Sequence, residues 1–370
     1  KIGFEVSKEV NTDKLFKPAY GNIALEMDKA DLVLLEGLDY KVAGKTIEGQ
    51  YIEVDGYKVC LGKIYKAYES TLEPIFPTKA VEPTGEISNI NFIVNEHQKS
   101  SLSIAQPKVF IPAFPGTNCE YDCERAFRNA GAKTETLVFR NYSKEAFAES
   151  IENLEKQIRE SQIIMLPGGF SAGDEPDGSG KFISTVFRNE RIKDAVMDLL
   201  KNRDGLMLGI CNGFQALIKL GLVPYGEIVD IEEDMATLTY NEINRHMSSI
   251  IKTKVVSKKS PWFSGVELGD IHNVAISHGE GRFVAPEKLL KQLVENGQVA
   301  TQYVDNKGNI ALDMPFNPNG SMLGIEGITS PDGRVLGKMG HSERIGDNLY
   351  KNVPGNFDQK IFESGVKYFK

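Results

Sequence analysis

From Lys108 onward the chain alternates short apolar runs with longer amphipathic ones, a pattern that few folds accept. KVFIPA is a strand-like run closed by Pro-Gly, and CEYDCERAFRNAGA (119–132) spaces its apolar residues as a helix does and ends on glycine. TETLVF, SQIIML and GLMLGI are further strand runs. KEAFAESIENLEKQIRE (144–160) reads as a helix, and ISTVFRNERIKDAVMDLLKN (183–202) as one long helix. Strands that are apolar throughout, rather than on alternate residues, are covered on both faces, and crossover helices provide that cover in a parallel sheet. The expected fold class is therefore α/β, a parallel sheet with helices on both faces, preceded by a small strand-rich α+β segment. Function in such sheets collects at the carboxyl ends of the strands. The turns PGT, PGGFSAGD and GICNG all fall there.

Residues 1 to about 80 look different. NIALEM, DLVLLEGL and QYIEV-DG-YKVCLG have β character, with Asp55-Gly56 as a hairpin turn. Residues 81–107 are rich in Ser, Pro, Glu and Lys and read as a linker. The organisation expected is thus 1–80 strand-rich, 81–107 linker, 108–350 main α/β domain and 351–370 a tail with a docking helix. In that tail Phe357, Ile361, Phe362, Val366 and Phe369 stand at roughly helical spacing. The opening KIGFEV starts in mid-structure and reads as part of something longer. A net charge of −8 argues against general binding of nucleic acid or an anionic membrane. No apolar run approaches the roughly 20 residues of a membrane span. Four cysteines in 370 residues make no disulfide framework, so a reducing cytoplasm is expected.

One of those cysteines stands out. In G-I-C-N-G, Cys211 occupies the place of serine in the nucleophile elbow G-x-S-x-G, at the end of a strand and the start of a helix. Flanking glycines let the turn tighten, and unpaired N–H groups at a helix start favour a thiolate. A buried structural cysteine explains the same five residues if they are taken alone. A nucleophile needs a base, and there are five histidines. His97 reads as solvated in the linker, His246 as exposed and His272 as packed in a strand. His278 lies in the glycine-bracketed SHGEGRF, read as a loop without a strand to hold a base. His341 is followed two residues on by Glu343, so in extended backbone both side chains face one way and the carboxylate can orient the imidazole. A plain surface turn is the competing explanation for His-Ser-Glu-Arg. Oxyanion donors are expected from the N–H of Asn212 and from Gly169 in PGGF (167–170). Cys119 and Cys123, four apart on one helix face, read as packing against the sheet rather than as a metal site, and Cys60 reads as core.

The motifs PGGFSAGD (167–174), GICNGFQ (209–215), SHGEGRF (277–283), NPNGS (317–321) and GKMGHSER (337–344) resemble those of class I (triad) glutamine amidotransferases. Their detail resembles the glutaminase portion of the phosphoribosylformylglycinamidine synthases. The resemblance implies a flavodoxin-like class I glutaminase sheet. It implies Cys211 as nucleophile, His341 as general base and acid, and Glu343 as its orienter, with oxyanion donors at Gly169 and Asn212. Gln215, Gly168, Phe170, His278 and Glu280 would border the glutamine. It further implies L-glutamine as substrate, ammonia delivered to a synthetase portion of the same enzyme, and no metal or cofactor on this stretch. ATP and Mg2+ would belong to the absent synthetase part, whose tail residues 1–80 resemble. The family often carries proline where Ser342 stands, which puts the rigidity of that turn in question. A cysteine hydrolase or peptidase on a related scaffold, and a non-catalytic regulatory subunit, are the alternatives.

Overall fold

The computed structural model describes residues 2–11, 13, 17–75, 90–94, 99–174 and 179–370. The chain divides into two compact units, Lys1–Thr78 and Lys79–Lys370.

The first unit holds a four-stranded sheet. Gly3–Val6 lies between Gly44–Ile47 (antiparallel) and Tyr51–Val54 (parallel), and Tyr57–Cys60 pairs with the latter as an outer hairpin strand. The hairpin turn is made by Asp55 and Gly56, both at positive φ (49° and 81°), as an Asp-Gly two-residue turn requires. Three expectations fail here, the β character of NIALEM (22–27) among them. DLVLLEGL is not a strand: Lys29–Leu35 form a 3₁₀ helix with no buried residue, and residues 22–28 carry no regular structure. A short continuous apolar run fits helix as well as strand, and periodicity alone does not separate them. Cys60 is not core but exposed, because its strand is the sheet edge.

The second unit is built on a nine-stranded sheet. Its strands are β1 (Lys108–Ala113), β2 (Lys133–Val138), β3 (Ile163–Leu166), β4 (Leu206–Ile210), β5 (Met247–Val255), β6 (Ile271–His278), β7 (Val299–Val304), β8 (Ile325–Thr329) and β9 (Val335–Lys338). Their spatial order is β6-β5-β7-β8-β9-β4-β3-β1-β2. The run β9-β4-β3-β1-β2 is parallel throughout, as the β/α alternation requires. The remaining strands, β6-β5-β7-β8, are joined to it and to one another antiparallel. The sheet is therefore parallel-rich and mixed, with the antiparallel extension contributed by residues after 240.

Helices α1 (Glu120–Asn129), α2 (Lys144–Glu160), α3 (Lys181–Phe187), α4 (Glu190–Asn202) and α5 (Asn212–Leu220) join or flank the parallel strands. In α2, Ser143 accepts from the Ala146 N–H as N-cap, and Ala146, Ile151, Leu154 and Ile158 face inward at helical spacing. The run 183–202 is two helices rather than one. The backbone of Asn189 leaves the helix (ψ 130°), and its side chain accepts from the Arg191 N–H to cap α4. One core joins the faces of the sheet, with Phe110, Phe127, Leu154, Phe187, Phe214, Trp262 and Phe283 all buried.

Within 81–107, residues 81–89 and 95–98, with His97, lie outside the described set. Where described, the segment touches the second unit: Ile90 is buried, and the Phe92 N–H donates to the Val256 carbonyl at 2.9 Å. At the other end, α6 (Ile361–Lys367) stacks Phe362 edge-on against Phe127 of α1 (5.0 Å) and lays Gly365 over Trp262. Phe357 precedes that helix and stacks on Tyr350 instead.

Candidate active site

Cys211 follows the last residue of β4 and N-caps α5, with φ 53° and ψ −107°. A residue with a side chain rarely adopts that conformation, and holding it costs about 1–3 kcal/mol. Neither flanking position has room for a side chain. A Cβ on Gly213 would fall 2.0 Å from the Leu166 carbonyl oxygen of β3, and one on Gly209 would fall 2.5 Å from Leu217. The turn is thus wedged between β3 and its own helix, and the Cys211 side chain is thrust up at the carboxyl end of the sheet.

The sheet register brings the next group in. β9 runs parallel to β4 with Lys338 opposite Ile210, and the Cys211 N–H donates to the Lys338 carbonyl at 2.9 Å. Three residues beyond Lys338 comes His341. A separation of 130 positions in sequence therefore closes to two neighbouring strand ends. The imidazole lies beside the Cys211 thiol and bonds through Nδ1 to Glu343 Oε1 at 2.6 Å, while the Cys211 Sγ itself points to the Ser277 carbonyl of β6 at 3.8 Å. Both His341 and Glu343 are buried. Burial alone would lower the imidazole pKa, but the Glu343 carboxylate and the two neighbouring sulfurs hold it well above the usual histidine range. Burial likewise penalises the Glu343 anion, and the His341 pair outweighs this and keeps the carboxyl below its ordinary value.

Three braces fix this row. The His341 N–H donates to the Ala275 carbonyl of β6 at 2.8 Å. The Gly340 N–H donates to Glu326 Oε1 at 2.7 Å, and the same oxygen pairs with Lys338 Nζ at 3.0 Å, both side chains being fully buried. Gly168, at the end of β3, has no side chain to obstruct: a Cβ there would lie 2.8 Å from His341 Cε1 and 3.5 Å from Cys211 Cβ. Gly168 therefore makes room behind the thiol and imidazole.

A cleft of about 20 Å³, room for about one water, opens beside the thiol. It is lined by Gly169, Phe170, Ser179, Cys211, Gln215, Ser277, His278, Gly279 and Glu280. Of the expected substrate neighbours, Phe170, Gln215, His278 and Glu280 line it and Gly168 does not. Gln215 is committed within the wall, donating to the Glu280 carbonyl and accepting from Asn212 Nδ2. Glu280 Oε2 accepts from the N–H and hydroxyl of Ser179, both at 2.9 Å. Phe170, 48 % exposed, forms the lip beside His246. Gly169 adopts φ 147°, and a Cβ there would strike Thr117 and Asn118 of the PGT turn. The larger cavity at the amino end of β9, about 180 Å³ between Lys201, Tyr225, Asp332 and Arg334, touches none of these groups.

SHGEGRF is not the loop expected. His278 is the last residue of β6, and Glu280–Val284 pair with Thr237–Tyr240 in a two-stranded ribbon. Complete burial, then the nearby His341 and His246, depress the His278 pKa to about 3, and Asn319 Nδ2 donates to its Nε2 at 3.1 Å. It is a neutral wall residue. His246 is exposed and bonds Ser277 Oγ, and His272 is buried in β6.

Cys119 is where the sequence reading fell short. It is buried, as expected of a packing residue, yet its Sγ sits 3.9 Å from His341 Nδ1 and accepts from Arg344 Nη2 at 3.1 Å. Cys123, one turn on, is inert, its thiol pKa pushed well up by burial. The signal for Cys119 was its position after PGT, at a strand end on the functional edge of the sheet. Cys119, His341 and Glu343 are also the group of possible metal ligands found among the described residues. The Arg344 cation against the sulfur opposes a second cation there.

What such a row of thiol, imidazole and carboxylate serves depends on the family that carries it. Residues 106–369 match the CobB/CobQ-like glutamine amidotransferase domain, and the chain belongs to that family. Relatives of this sequence include the phosphoribosylformylglycinamidine synthase subunit PurQ of Methanococcus maripaludis (strain C7), 38 % identical over 71 % of this chain and 95 % of that protein. The subunit of the same name from Aquifex aeolicus is 30 % identical over 67 % and 95 %. A solved structure described as PurLQS from Thermotoga maritima covers 72 % of this chain and 100 % of its own, with TM-score 0.52 and 24 % identity, a likeness of fold. Family membership leaves the peptidase and non-catalytic alternatives without support.

Proposed function

We propose that this chain is the glutamine-hydrolysing part of a phosphoribosylformylglycinamidine synthase, supplying ammonia for ATP-dependent amidine formation in purine biosynthesis. The observation that carries the reading is the Cys211–His341–Glu343 row, set in a domain of the glutamine amidotransferase family. The Cys211 thiolate attacks the side-chain amide carbon of L-glutamine, and the oxyanion is met by the N–H groups of Gly169 and Asn212. His341, held protonated by Glu343, gives its proton to the departing nitrogen, so ammonia leaves and a γ-glutamyl thioester remains on Cys211. His341 then takes a proton from water, which cleaves the thioester to glutamate and returns the thiol. Phe170, Gln215, His278 and Glu280 shape the pocket, and the Glu280 carboxylate is the charged group in its wall.

This half-reaction requires no metal or nucleotide on this chain; ATP and Mg2+ serve the synthetase portion, the partner to which the ammonia passes. The relatives' names as synthase subunits support such a partner. Residues 1–80 are read as the end of that portion in a single-chain enzyme, followed by a linker over 81–107, the amidotransferase domain over 108–350 and the docking tail over 351–370. Basal turnover of this part alone is expected to be low, since the family couples glutamine hydrolysis to occupancy of the synthetase portion. A cytoplasmic setting fits the reduced thiol, and no described helix is long and apolar enough to cross a membrane.

The test is ammonia release from glutamine, together with labelling by the electrophile 6-diazo-5-oxo-norleucine. Cys211→Ala is expected to lose turnover by at least about a thousandfold while folding normally, and the label is expected on Cys211 alone and blocked by glutamine. Undiminished turnover in that variant would dispose of the mechanism.

A further inference from the structure

Ser342 lies between His341 and Glu343, and its side chain is turned away from theirs. Its Oγ donates to Gln359 Oε1 at 2.5 Å, and Gln359 Nε2 donates in turn to Thr253 Oγ1 of β5 at 3.1 Å. Ser342, Gln359 and Thr253 are all buried. Gln359 belongs to the stretch 354–359, which is strapped onto the outer edge of β6. The Asn273 N–H donates to the Asn356 carbonyl at 2.7 Å, and Asn273 Nδ2 donates to the Pro354 carbonyl at 2.8 Å. Gly355, at φ 136°, lies so close that a Cβ would meet Asn273 Nδ2 at 2.2 Å. The same edge of β6 holds His341 through the Ala275 carbonyl two residues along. The strap and the turn bearing the base therefore share one strand, and a buried amide ties them together.

A buried hydroxyl and a buried amide each lose about 1–3 kcal/mol if left unpaired. The chain Ser342–Gln359–Thr253 satisfies both, and it ties the turn to β5. We propose that Gln359 is a positioning residue for His341, acting through Ser342, so that the carboxyl-terminal strap sets the alignment of base and thiol. The proposal rests on the reading of Cys211, His341 and Glu343 as a catalytic triad.

Misplacement of a reacting group by about 1 Å costs on the order of a hundredfold in rate. The experiment measures glutamine hydrolysis by the full chain for Gln359→Met, Ser342→Ala, the double variant and Cys211→Ala, alongside the low-field proton resonance of the His341–Glu343 bond. Each single variant is expected to lower kcat by about tenfold to a hundredfold with KM within about twofold, and to broaden that resonance. The double variant is expected to be no worse than the poorer single one, because both cut the same link. Should Gln359→Met fail to fold, Ser342→Ala, which removes one oxygen, carries the test by itself. Full kcat in the single variants, a change confined to KM, or losses that multiply in the double variant would overturn the proposal, provided Cys211→Ala is inactive. An active Cys211→Ala would instead remove the triad reading on which it rests.

Discussion

The parallel and antiparallel halves of the sheet reach the same site by different means. In the parallel half, reactive groups stand on strand ends: Cys211 after β4, the Gly168-Gly169 turn after β3, and His341 three residues past β9. In the antiparallel half, strands β5, β6 and β8 present side chains and carbonyls laterally: Glu326 to Gly340, Ala275 to His341, Thr253 to Gln359. One half delivers the Cys211 thiol and the other steadies the His341 imidazole. The lesson is that adding antiparallel strands beside a parallel sheet turns an open edge into a set of clamps, without altering the strand-end geometry that creates the site.

The largest effect expected from disturbing the clamps falls on Lys338 and Glu326. Replacing Lys338 with Met strands a buried carboxylate, and breaking such a pair costs about 3–5 kcal/mol. Denaturant unfolding should show that loss, and Lys338→Met combined with Glu326→Ala should recover most of it. A single variant as stable as the parent would mean the pair braces nothing. Next comes the link between the halves. Glu343→Gln removes the charge that raises the His341 pKa, so kcat should fall by about a hundredfold or more. The limb of the pH–rate profile governed by the imidazole should also move to lower pH. An unmoved limb would detach Glu343 from the base. The smallest effect per pH unit belongs to His278, at the end of β6. It stays neutral in the folded chain down to about pH 3 but takes a proton near 6.5 when unfolded. The unfolded state therefore binds the extra proton between those values. Stability should decline by up to about 1.4 kcal/mol per unit as the pH falls through that window, and that slope should be absent in His278→Gln. An identical slope in the variant would assign it to other groups.

The parallel half was legible because its signals are local. Continuous apolar runs, helical apolar spacing and the two glycines around Cys211 each act within a few residues. The antiparallel half carried no such local mark. HNVAIS and TQYV are plain strand runs, and the partners that make them useful, Asn356 for Asn273 and Glu326 for Lys338, lie far away in sequence or in a different strand. The His341–Glu343 pairing was readable from its spacing, but by another geometry than the extended backbone expected: Ser342 and Glu343 form a turn, the Arg344 N–H donating to the His341 carbonyl at 3.3 Å. The nearness of Cys119 to them was not, since 222 positions separate it from His341. In the first unit the 3₁₀ segment Lys29–Leu35 misled for the opposite reason: its apolar letters promised burial, yet Val33 and Leu34 are exposed.

An edge strand offers bare N–H and C=O groups to any other chain that comes past. On β6 the residues covering those groups are Asn356 of the strap and His341 itself. The imidazole's own backbone thus doubles as a guard against strand-on-strand assembly. Lesions that loosen this corner should therefore show up as self-association of purified protein, and screens for solubility would select for an intact His341 turn.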